Sequence, residues 1–417
     1  MGRKVQRVCV VGAGTMGAGI AVSLATTGFD TTLVDTNETQ VAAGLAGLRS
    51  TIEAAAVKGR MTTGEAAAAI ARVSPATDLA AARDADLVIE AVFESMGVKR
   101  EVFGRLDAEC RPGAVLATNT STLDVDAIAA ATARPADVIG MHFFSPAHVM
   151  RLVEIVRGRR TAPDVIATAL DVTQRLMKHG VVVGNCFGFV GNRMLYCYGR
   201  ENQLMLLEGV APMRIDHVLR EFGMAMGPNA VGDLAGLDVG YRVRRERTDL
   251  PDDPRYYRVA DALVEAGRLG QKNGKGVFRY APGSREAFED PEVDALIEAE
   301  ARRLGVPKRE IADTEIVERC IVALVNEGAR ILEEGIADSP ADIDTIWCNG
   351  YGFPRARGGP MAHADSVGLD RVLELVTRFE RDFGPRYWQP APLLGALGAE
   401  KGTFSIWQSR RERARSA

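Results

Sequence analysis

The first half of the chain alternates short apolar runs with helical patterns. The apolar runs are RVCVV, TTLVD, ADLVIEAV, AVLATNTST and DVIGMHFF, and VKREVFGRLDAEC between two of them has a helical pattern. Near-continuous apolar strands separated by helices are typical of a parallel sheet that is covered on both faces. The pattern therefore predicts an α/β domain with a mainly parallel sheet over residues 1–186.

From about residue 187 the strand-like runs stop and long helical patterns follow. The stretch ENQLMLLEGVAPMRID (201–216) matches NEGARILEEGIADSPADID (326–344), and GPNAVGDLAGLD matches GPMAHADSVGLD. Such a duplication predicts two copies of one unit that pack on each other around a shared core. We expect an all-α region of two related helical repeats, 187–290 and 310–417, joined by a connector.

A glycine loop follows the first predicted strand. Gly12, Gly14 and Gly17 have the spacing G-x-G-x-x-G, which allows a tight turn, the approach of a pyrophosphate and close packing of helix on strand. This combination predicts a Rossmann-type domain. The predicted cofactor contacts at the loop are Gly12, Gly14, Thr15, Met16 and Gly17.

Asp35 ends the second predicted strand, 18 residues after Gly17. A carboxylate there accepts hydrogen bonds from the adenosine ribose and repels a 2′-phosphate, so the predicted cofactor is NAD rather than NADP. The alternative is a surface aspartate that merely ends a strand.

Four polar residues lie at or just past predicted strand ends: Glu90, Asn119, Ser121 and His142. Ligands of such sheets bind beyond the carboxyl ends of the strands, so we interpret the four as functional. Histidine suits proton transfer near neutral pH, and Glu154, in the apolar run RLVEIV, is placed to pair with His142. The alternatives are a hydrogen-bonded core histidine and a carboxylate buried in an ion pair with an arginine.

Composition excludes several other classes of function. A net charge of -4 gives no footprint for nucleic acid, and no apolar run approaches the roughly 18 residues of a membrane span. The six cysteines form no C-x-x-C pair, which predicts a cytoplasmic protein without a zinc or other metal site. The N-terminus has no pattern of a signal peptide.

Taken together, the motifs resemble the 3-hydroxyacyl-CoA dehydrogenase family. The matching stretches are GAGTMGAGIA, TNTSTL, HFFSPAHVMRLVEIV, GFVGNRM, GMAMGP, DLAGLDVG, GQKNGKGVFRY and GFPRARGGPMAHAD. The duplicated helical part resembles the dehydrogenase portion of multifunctional fatty-acid β-oxidation enzymes, without their enoyl-CoA hydratase portion. One departure is Asn229, at a position that is usually aromatic or aliphatic in relatives. It affects either the acyl tunnel or local packing.

The resemblance implies a role for each site residue. His142 would be the general base and Glu154 its partner, while Ser121 and Asn192 would bind the reacting oxygen. Further cofactor contacts are implied for Glu90, Lys99 and Asn119. From local sequence alone, Ser121 and Asn192 could equally cap helices, and Lys99 could be an exposed helix residue.

The implied reaction is the NAD-dependent oxidation of an L-3-hydroxyacyl-CoA to a 3-oxoacyl-CoA in lipid metabolism. The implied partner is an acyl-CoA substrate, and the chain would be a monomer with an internal pseudo-dimer, or a homodimer. Three alternatives remain open: an enzyme of the same superfamily acting on a free hydroxy acid, a 3-oxoacyl-CoA reductase working in the biosynthetic direction, and a non-catalytic protein that retains the fold.

Overall fold

The computed structural model describes residues 1–416, with only the backbone of 415 and 416. The chain forms two compact units. One unit contains Met1–Asn192 together with Glu334–Gly350, and the other contains Arg193–Glu333 together with the residues from Tyr351 onward.

The first unit is built on an eight-stranded sheet in the order β3-β2-β1-β4-β5-β6-β7-β8. The strands are β1 (Arg7–Val11), β2 (Asp30–Val34), β3 (Val73–Ala76), β4 (Leu87–Glu90), β5 (Val115–Thr118), β6 (Val138–Phe143), β7 (Leu152–Arg157) and β8 (His179–Gly184). All neighbouring pairs are parallel except β6 and β7. The predicted α/β class with a mainly parallel sheet is confirmed, while β3 and β8 are strands that the sequence pattern did not predict.

Nineteen α-helices lie within the described chain. The first six are α1 (Thr15–Thr26), α2 (Glu38–Val57), α3 (Thr63–Ala71), α4 (Met96–Glu109), α5 (Val125–Ala129) and α6 (Pro163–Arg175). The others are α7 (Gly191–Leu207), α8 (Pro212–Phe222), α9 (Pro228–Ala235), α10 (Leu237–Glu246), α11 (Arg258–Glu265), α12 (Pro291–Leu304), α13 (Asp313–Glu333), α14 (Pro340–Gly350), α15 (Pro360–Val367), α16 (Leu369–Phe383), α17 (Pro385–Trp388), α18 (Pro392–Ala399) and α19 (Phe404–Ser416). Short 3-10 helices occupy Leu79–Ala82, Pro135–Asp137, Gln271–Asn273 and Arg355–Arg357.

Both faces of the sheet are buried, which explains the near-continuous apolar strands. In β1, Val8 and Val10 point into one core cluster, while Cys9 and Val11 point into the other. Because successive side chains of a strand point to opposite faces, a strand covered on both sides must be apolar throughout. The polar residues are thereby displaced to the strand ends, where the candidate site lies.

The two helical repeats pair with each other inside the second unit. Arg193 on α7 pairs with Glu327 on α13 at 2.6 Å, and Arg319 on α13 pairs with Glu201 on α7 at 3.0 Å. The two arginines are separated by 126 residues, and so are the two glutamates. The contacts are therefore reciprocal, as at an interface between two identical copies.

One helix of the second repeat belongs instead to the first unit. α14 packs on β7 and β8, and the segment before it pairs with β8 through Gly184 N–H and the Ile336 carbonyl, 2.7 Å apart. α14 is the counterpart of α8, which packs on α13. The compact units thus do not coincide with the predicted repeats 187–290 and 310–417, and residue 417 lies outside the described chain.

Asn229 lies within the second unit, where it is 2% exposed. Its amide nitrogen donates to Asp216 Oδ1 at 2.9 Å, and its amide oxygen accepts from Asn202 at 2.9 Å. A buried polar group is stable only when it is hydrogen-bonded, and here the partners are supplied by α7 and α8. These contacts support a contribution of Asn229 to local packing.

Candidate active site

His142 and Glu154 are direct neighbours across two antiparallel strands. The register of β6 and β7 sets them opposite each other, and His142 Nδ1 lies 2.8 Å from Glu154 Oε2. Both are buried, with 6% of His142 and none of Glu154 exposed. An ionised carboxylate only accepts hydrogen bonds, so Nδ1 carries the proton and Nε2 is left to accept one. The predicted pair is thus brought together.

The second oxygen of Glu154 is held by the start of α7. Oε1 accepts hydrogen bonds from Gly191 N–H at 2.9 Å and from Val190 N–H at 3.2 Å. The first N–H groups of a helix have no partner inside the helix, and they stabilise a negative charge. Glu154 is therefore the acceptor for a helix start and for a histidine, rather than the partner of an arginine.

Aromatic rings surround the imidazole of His142. The ring centroid of Phe144 lies 4.4 Å from that of His142, and the buried Phe189 ring lies at 5.8 Å. These rings restrict the orientations of the imidazole and exclude water from part of its surface. The basic nitrogen is therefore held in one direction.

Ser121, in the loop after β5, and Asn192, in the first turn of α7, approach each other. The Asn192 amide donates to the Ser121 carbonyl at 3.3 Å. Neither residue is the N-cap of the helix that follows: Asp124 caps α5, and α7 already begins at Gly191. The helix-cap alternative is therefore wrong for both, and both remain candidates for binding the substrate oxygen.

Glu94 is a site residue that the sequence reasoning missed. Its Oε1 accepts hydrogen bonds from Ser121 N–H at 2.8 Å, from Ser121 Oγ at 3.2 Å and from Thr120 Oγ1 at 2.6 Å. Burial alone would raise the pKa of Glu94, but the Lys99 ammonium and the hydrogen bonds from Thr120 and Ser121 outweigh burial and lower it. Glu94 is thus an ionised anchor of the Ser121 loop.

Lys99 joins Glu94 to a second carboxylate, that of Glu90. Glu90 and Lys99 form a 2.7 Å ion pair, with 0% and 1% of their side chains exposed, and Glu90 also accepts from Thr118 Oγ1 at 2.7 Å. Both side chains are thus engaged with each other inside the protein, and their contact with the cofactor stays a prediction. Lys99 is also not an exposed helix residue, because its ammonium reaches inward to Glu90 and to Glu94.

Asn119 connects the ends of two strands. Its side-chain oxygen accepts from Phe143 N–H at 2.8 Å, and its own N–H donates to the Glu90 carbonyl at 2.7 Å. Asn119 therefore lies at the predicted carboxyl edge, directly after β5 and between the ends of β4 and β6.

The glycine loop has the shape that a dinucleotide requires. A Cβ on Gly17 would lie 1.7 Å from the Gly12 carbonyl oxygen, whereas a Cβ on Gly14 would meet no atom within 4 Å. Gly14 thus faces open space at the start of α1, beside Thr15 and Met16, where helix N–H groups bind phosphate. Asp35 accepts from Ala13 N–H at 3.0 Å, which fixes its carboxylate beside the loop. These residues fit NAD.

Comparison with known proteins also indicates an NAD-binding domain and identifies the family. The family model of the 3-hydroxyacyl-CoA dehydrogenase NAD-binding domain matches residues 7–186, and the C-terminal domain model matches residues 188–280 and 316–403. The peroxisomal bifunctional enzyme of Danio rerio is 44% identical over 411 residues, which are 95% of this chain and 56% of that protein. The chain thus spans about half the length of the curated relatives it matches.

Two solved structures resemble the chain along most of its length. The 3-hydroxybutyryl-CoA dehydrogenase from Escherichia coli superposes with a TM-score of 0.81 at 28% identity and covers 96% of this chain and 99% of its own. The dehydrogenase part of multifunctional enzyme 1 from C. elegans gives a TM-score of 0.67 at 29% identity, covering 95% and 90%. The predicted resemblance and the NAD cofactor are confirmed, and the chain belongs to the 3-hydroxyacyl-CoA dehydrogenase family.

Proposed function

We propose that this chain catalyses the NAD-dependent oxidation of L-3-hydroxyacyl-CoA to 3-oxoacyl-CoA, with His142 as the general base. The observation that carries the proposal is the buried 2.8 Å contact between His142 Nδ1 and Glu154 Oε2, in the same sheet that carries the dinucleotide loop. It leaves Nε2 as the nitrogen that accepts the proton of the substrate hydroxyl.

The residues of the site divide the work as follows. Bound NAD supplies the hydride acceptor. His142 removes the hydroxyl proton, and Glu154 stabilises the imidazolium that forms. We assign to Ser121 and Asn192 the hydrogen bonds to the reacting oxygen, where negative charge develops; the single Ser121 hydroxyl proton would turn from Glu94 to that oxygen when the substrate binds. Glu94 holds the Ser121 loop through three hydrogen bonds to Thr120 and Ser121.

The reverse reduction of a 3-oxoacyl-CoA uses the same groups, with imidazolium as the proton donor. The physiological role that we propose is the oxidative direction in fatty-acid β-oxidation, because the related chains include a β-oxidation multifunctional protein. The names of relatives place them in peroxisomes and glyoxysomes, so the cytoplasmic location stays a prediction. Among residues 1–416 no helix is long and apolar enough to cross a membrane.

The direct test is to follow NADH absorbance in both directions. NADH should form from NAD and (S)-3-hydroxybutyryl-CoA but not from the (R) isomer, and acetoacetyl-CoA and a long-chain 3-oxoacyl-CoA should consume NADH. A protein that binds NADH but turns over none of these thioesters would overturn the proposal. Turnover of free hydroxy acids alone would identify a different substrate class.

A further inference from the structure

The loop of residues 144–151 joins the strand of His142 to the strand of Glu154. The Lys178 ammonium, which lies just before β8, donates to two carbonyl oxygens of this loop. Those oxygens belong to Ala147 and Met150, each 2.6 Å away. One cation therefore closes the turn between the two strands that carry the acid–base pair.

The same loop is bound to the nucleotide helix α1. The Ala147 carbonyl also accepts from Ser23 Oγ of α1 at 3.2 Å. A Cβ on Gly19 would lie 3.3 Å from the Ala147 Cβ, which shows how closely helix and loop approach. Ala147 is thus the point where α1, the loop and Lys178 meet.

Among the described residues, Lys178 has no acidic partner. Within the part of the chain that the structure describes, its ammonium forms hydrogen bonds only with the two carbonyls. Burial lowers the pKa of Lys178 to about 8, and burial and then the charge of Lys178 lower the pKa of His148 on the same loop. α1 has no titratable side chain, and in α6 Asp164 is paired with Arg3 and Asp171 with Arg175. The cost of desolvating this cation is not offset by an ion pair.

We propose that Lys178 is a positioning residue of the dehydrogenase, which holds the 144–151 loop so that His142 and the nucleotide helix α1 keep the geometry needed for hydride transfer. The loop begins with Phe144, whose ring lies against the His142 imidazole. A displaced loop would therefore also move the aromatic ring that restricts the orientation of His142. This inference rests on the proposed function, because it assigns Lys178 to the reaction that His142 performs.

The first test replaces Lys178 by methionine, which keeps the length and removes the donors. In Lys178→Met, kcat should fall by about 10–10²-fold because the reacting groups are misplaced, while the Kd for NADH changes by less than about twofold. The matched control is Lys4→Met, an exposed lysine of the same unit, which should behave as the wild type. A folded Lys178→Met protein with wild-type kcat would overturn the proposal.

The second test uses pH and does not depend on the folding of that variant. Bonds from a charged donor are about twice as strong as neutral ones, so wild-type kcat should decline as the pH rises through about 8 and Lys178 loses its charge. Lys178→Arg keeps its charge and should lack this decline. A wild-type kcat that stays flat up to about pH 10, where an ordinary lysine loses its charge, or an equal decline in Lys178→Arg, would contradict the assignment.

A third readout is independent of turnover. The chain has five histidines, so ring signals in NMR spectra can be assigned by single substitutions. Lys178→Met should shift the His142 ring signals and Lys4→Met should not. Unshifted His142 signals overturn the role of Lys178, whereas shifted signals in a protein without dehydrogenase activity overturn the proposed function alone.

Discussion

At the residue scale, the two oxygens of Glu154 have separate tasks. Oε1 accepts the N–H groups of Val190 and Gly191, and Oε2 accepts the Nδ1 proton of His142. Because the backbone donors are fixed, the carboxylate cannot rotate without losing them. The orientation and the tautomer of His142 are thus set by the start of α7.

This arrangement makes Glu154→Gln an informative substitution. The backbone N–H groups would hold the amide oxygen at the Oε1 position, so the amide nitrogen would face His142 Nδ1. The ring would then have to accept at Nδ1 and carry its proton on Nε2, where it cannot act as a base. We expect kcat to fall by about 10²–10⁴-fold with nearly unchanged NADH binding. Wild-type turnover in Glu154→Gln would contradict the assigned tautomer.

Asp35 should decide the choice between NAD and NADP. Its carboxylate is fixed by Ala13 N–H, so a 2′-phosphate would approach a charge that cannot move away. Placing the 2′-phosphate of NADP beside the Asp35 carboxylate costs several kcal/mol, so kcat/KM should favour NAD by about 10²-fold or more. Asp35→Asn keeps an acceptor for Ala13 and should lose much of that preference. Equal efficiency of the wild type with both cofactors would refute this role.

Much of the candidate site could be predicted from the sequence, because several of its residues lie at strand ends and Glu154 lies in the strand that follows His142. His142 and Glu154 follow from one strand, a turn and a second strand. Glu94 could not be predicted in this way, since it lies in a loop and its function depends on the later fold of the Ser121 loop against it. The burial of Lys99 could not be predicted either, because the sequence of a helix does not show that the ammonium of one lysine points inward.

At the element scale, the glycine loop and α1 act as one structural piece. Gly17 is needed for the helix to contact the turn at Gly12, whereas Gly14 faces open space. The two glycines therefore have different functions, although they belong to one motif. Gly17 allows the helix to pack on the turn, and Gly14 allows the pyrophosphate to approach the backbone.

Two alanine substitutions should separate these functions. Gly17→Ala would place a methyl group 1.7 Å from the Gly12 carbonyl oxygen, so the free energy of unfolding should fall by about 3 kcal/mol or more. Gly14→Ala should change that free energy by less than about 0.5 kcal/mol while weakening NAD binding. Thermal unfolding and calorimetric NAD titration measure the two effects. Equal destabilisation by both substitutions would contradict this division.

At the scale of the whole molecule, the second repeat packs against two different surfaces, the first repeat and the sheet. α13 brings Arg319, which is 1% exposed, to the buried Glu201 and Glu208, and α14 covers β7 and β8. The repeat pattern predicted pairing between the two copies. It could not predict the position of α14, because nothing in a repeat shows that one helix of a copy packs on a sheet instead of on the other copy.

Truncation after about residue 305 should therefore remove cover from both compact units. It would expose apolar surface on α7 and α8 and on the outer strands, and it would leave Glu201 and Glu208 without Arg319. We expect aggregation or dimerisation in sedimentation experiments. A truncated chain that stays monomeric, soluble and fully active would show that the second repeat is not needed as an internal partner.

A point substitution tests the same pairing in the full chain. Arg319→Met should lower the free energy of unfolding by about 1.5–3 kcal/mol, because it removes the cation shared by two buried carboxylates and leaves Glu201 with only Arg200 and Glu208 with only Arg309. The matched control is Arg371→Met, an exposed arginine of the second repeat, with an effect below about 0.5 kcal/mol. Similar unfolding curves for the two variants would show that Arg319 does not join the repeats.

The most direct test of the account as a whole is the turnover of His142→Ala. With NAD and (S)-3-hydroxybutyryl-CoA, kcat should fall by about 10²–10⁴-fold, because no other group of the site can take the hydroxyl proton at that position. NADH binding and thermal stability should stay close to those of the wild type, and His217→Ala, an exposed histidine on α8, is the matched control. A folded His142→Ala protein that binds NADH and turns over at the wild-type rate would contradict the central claim.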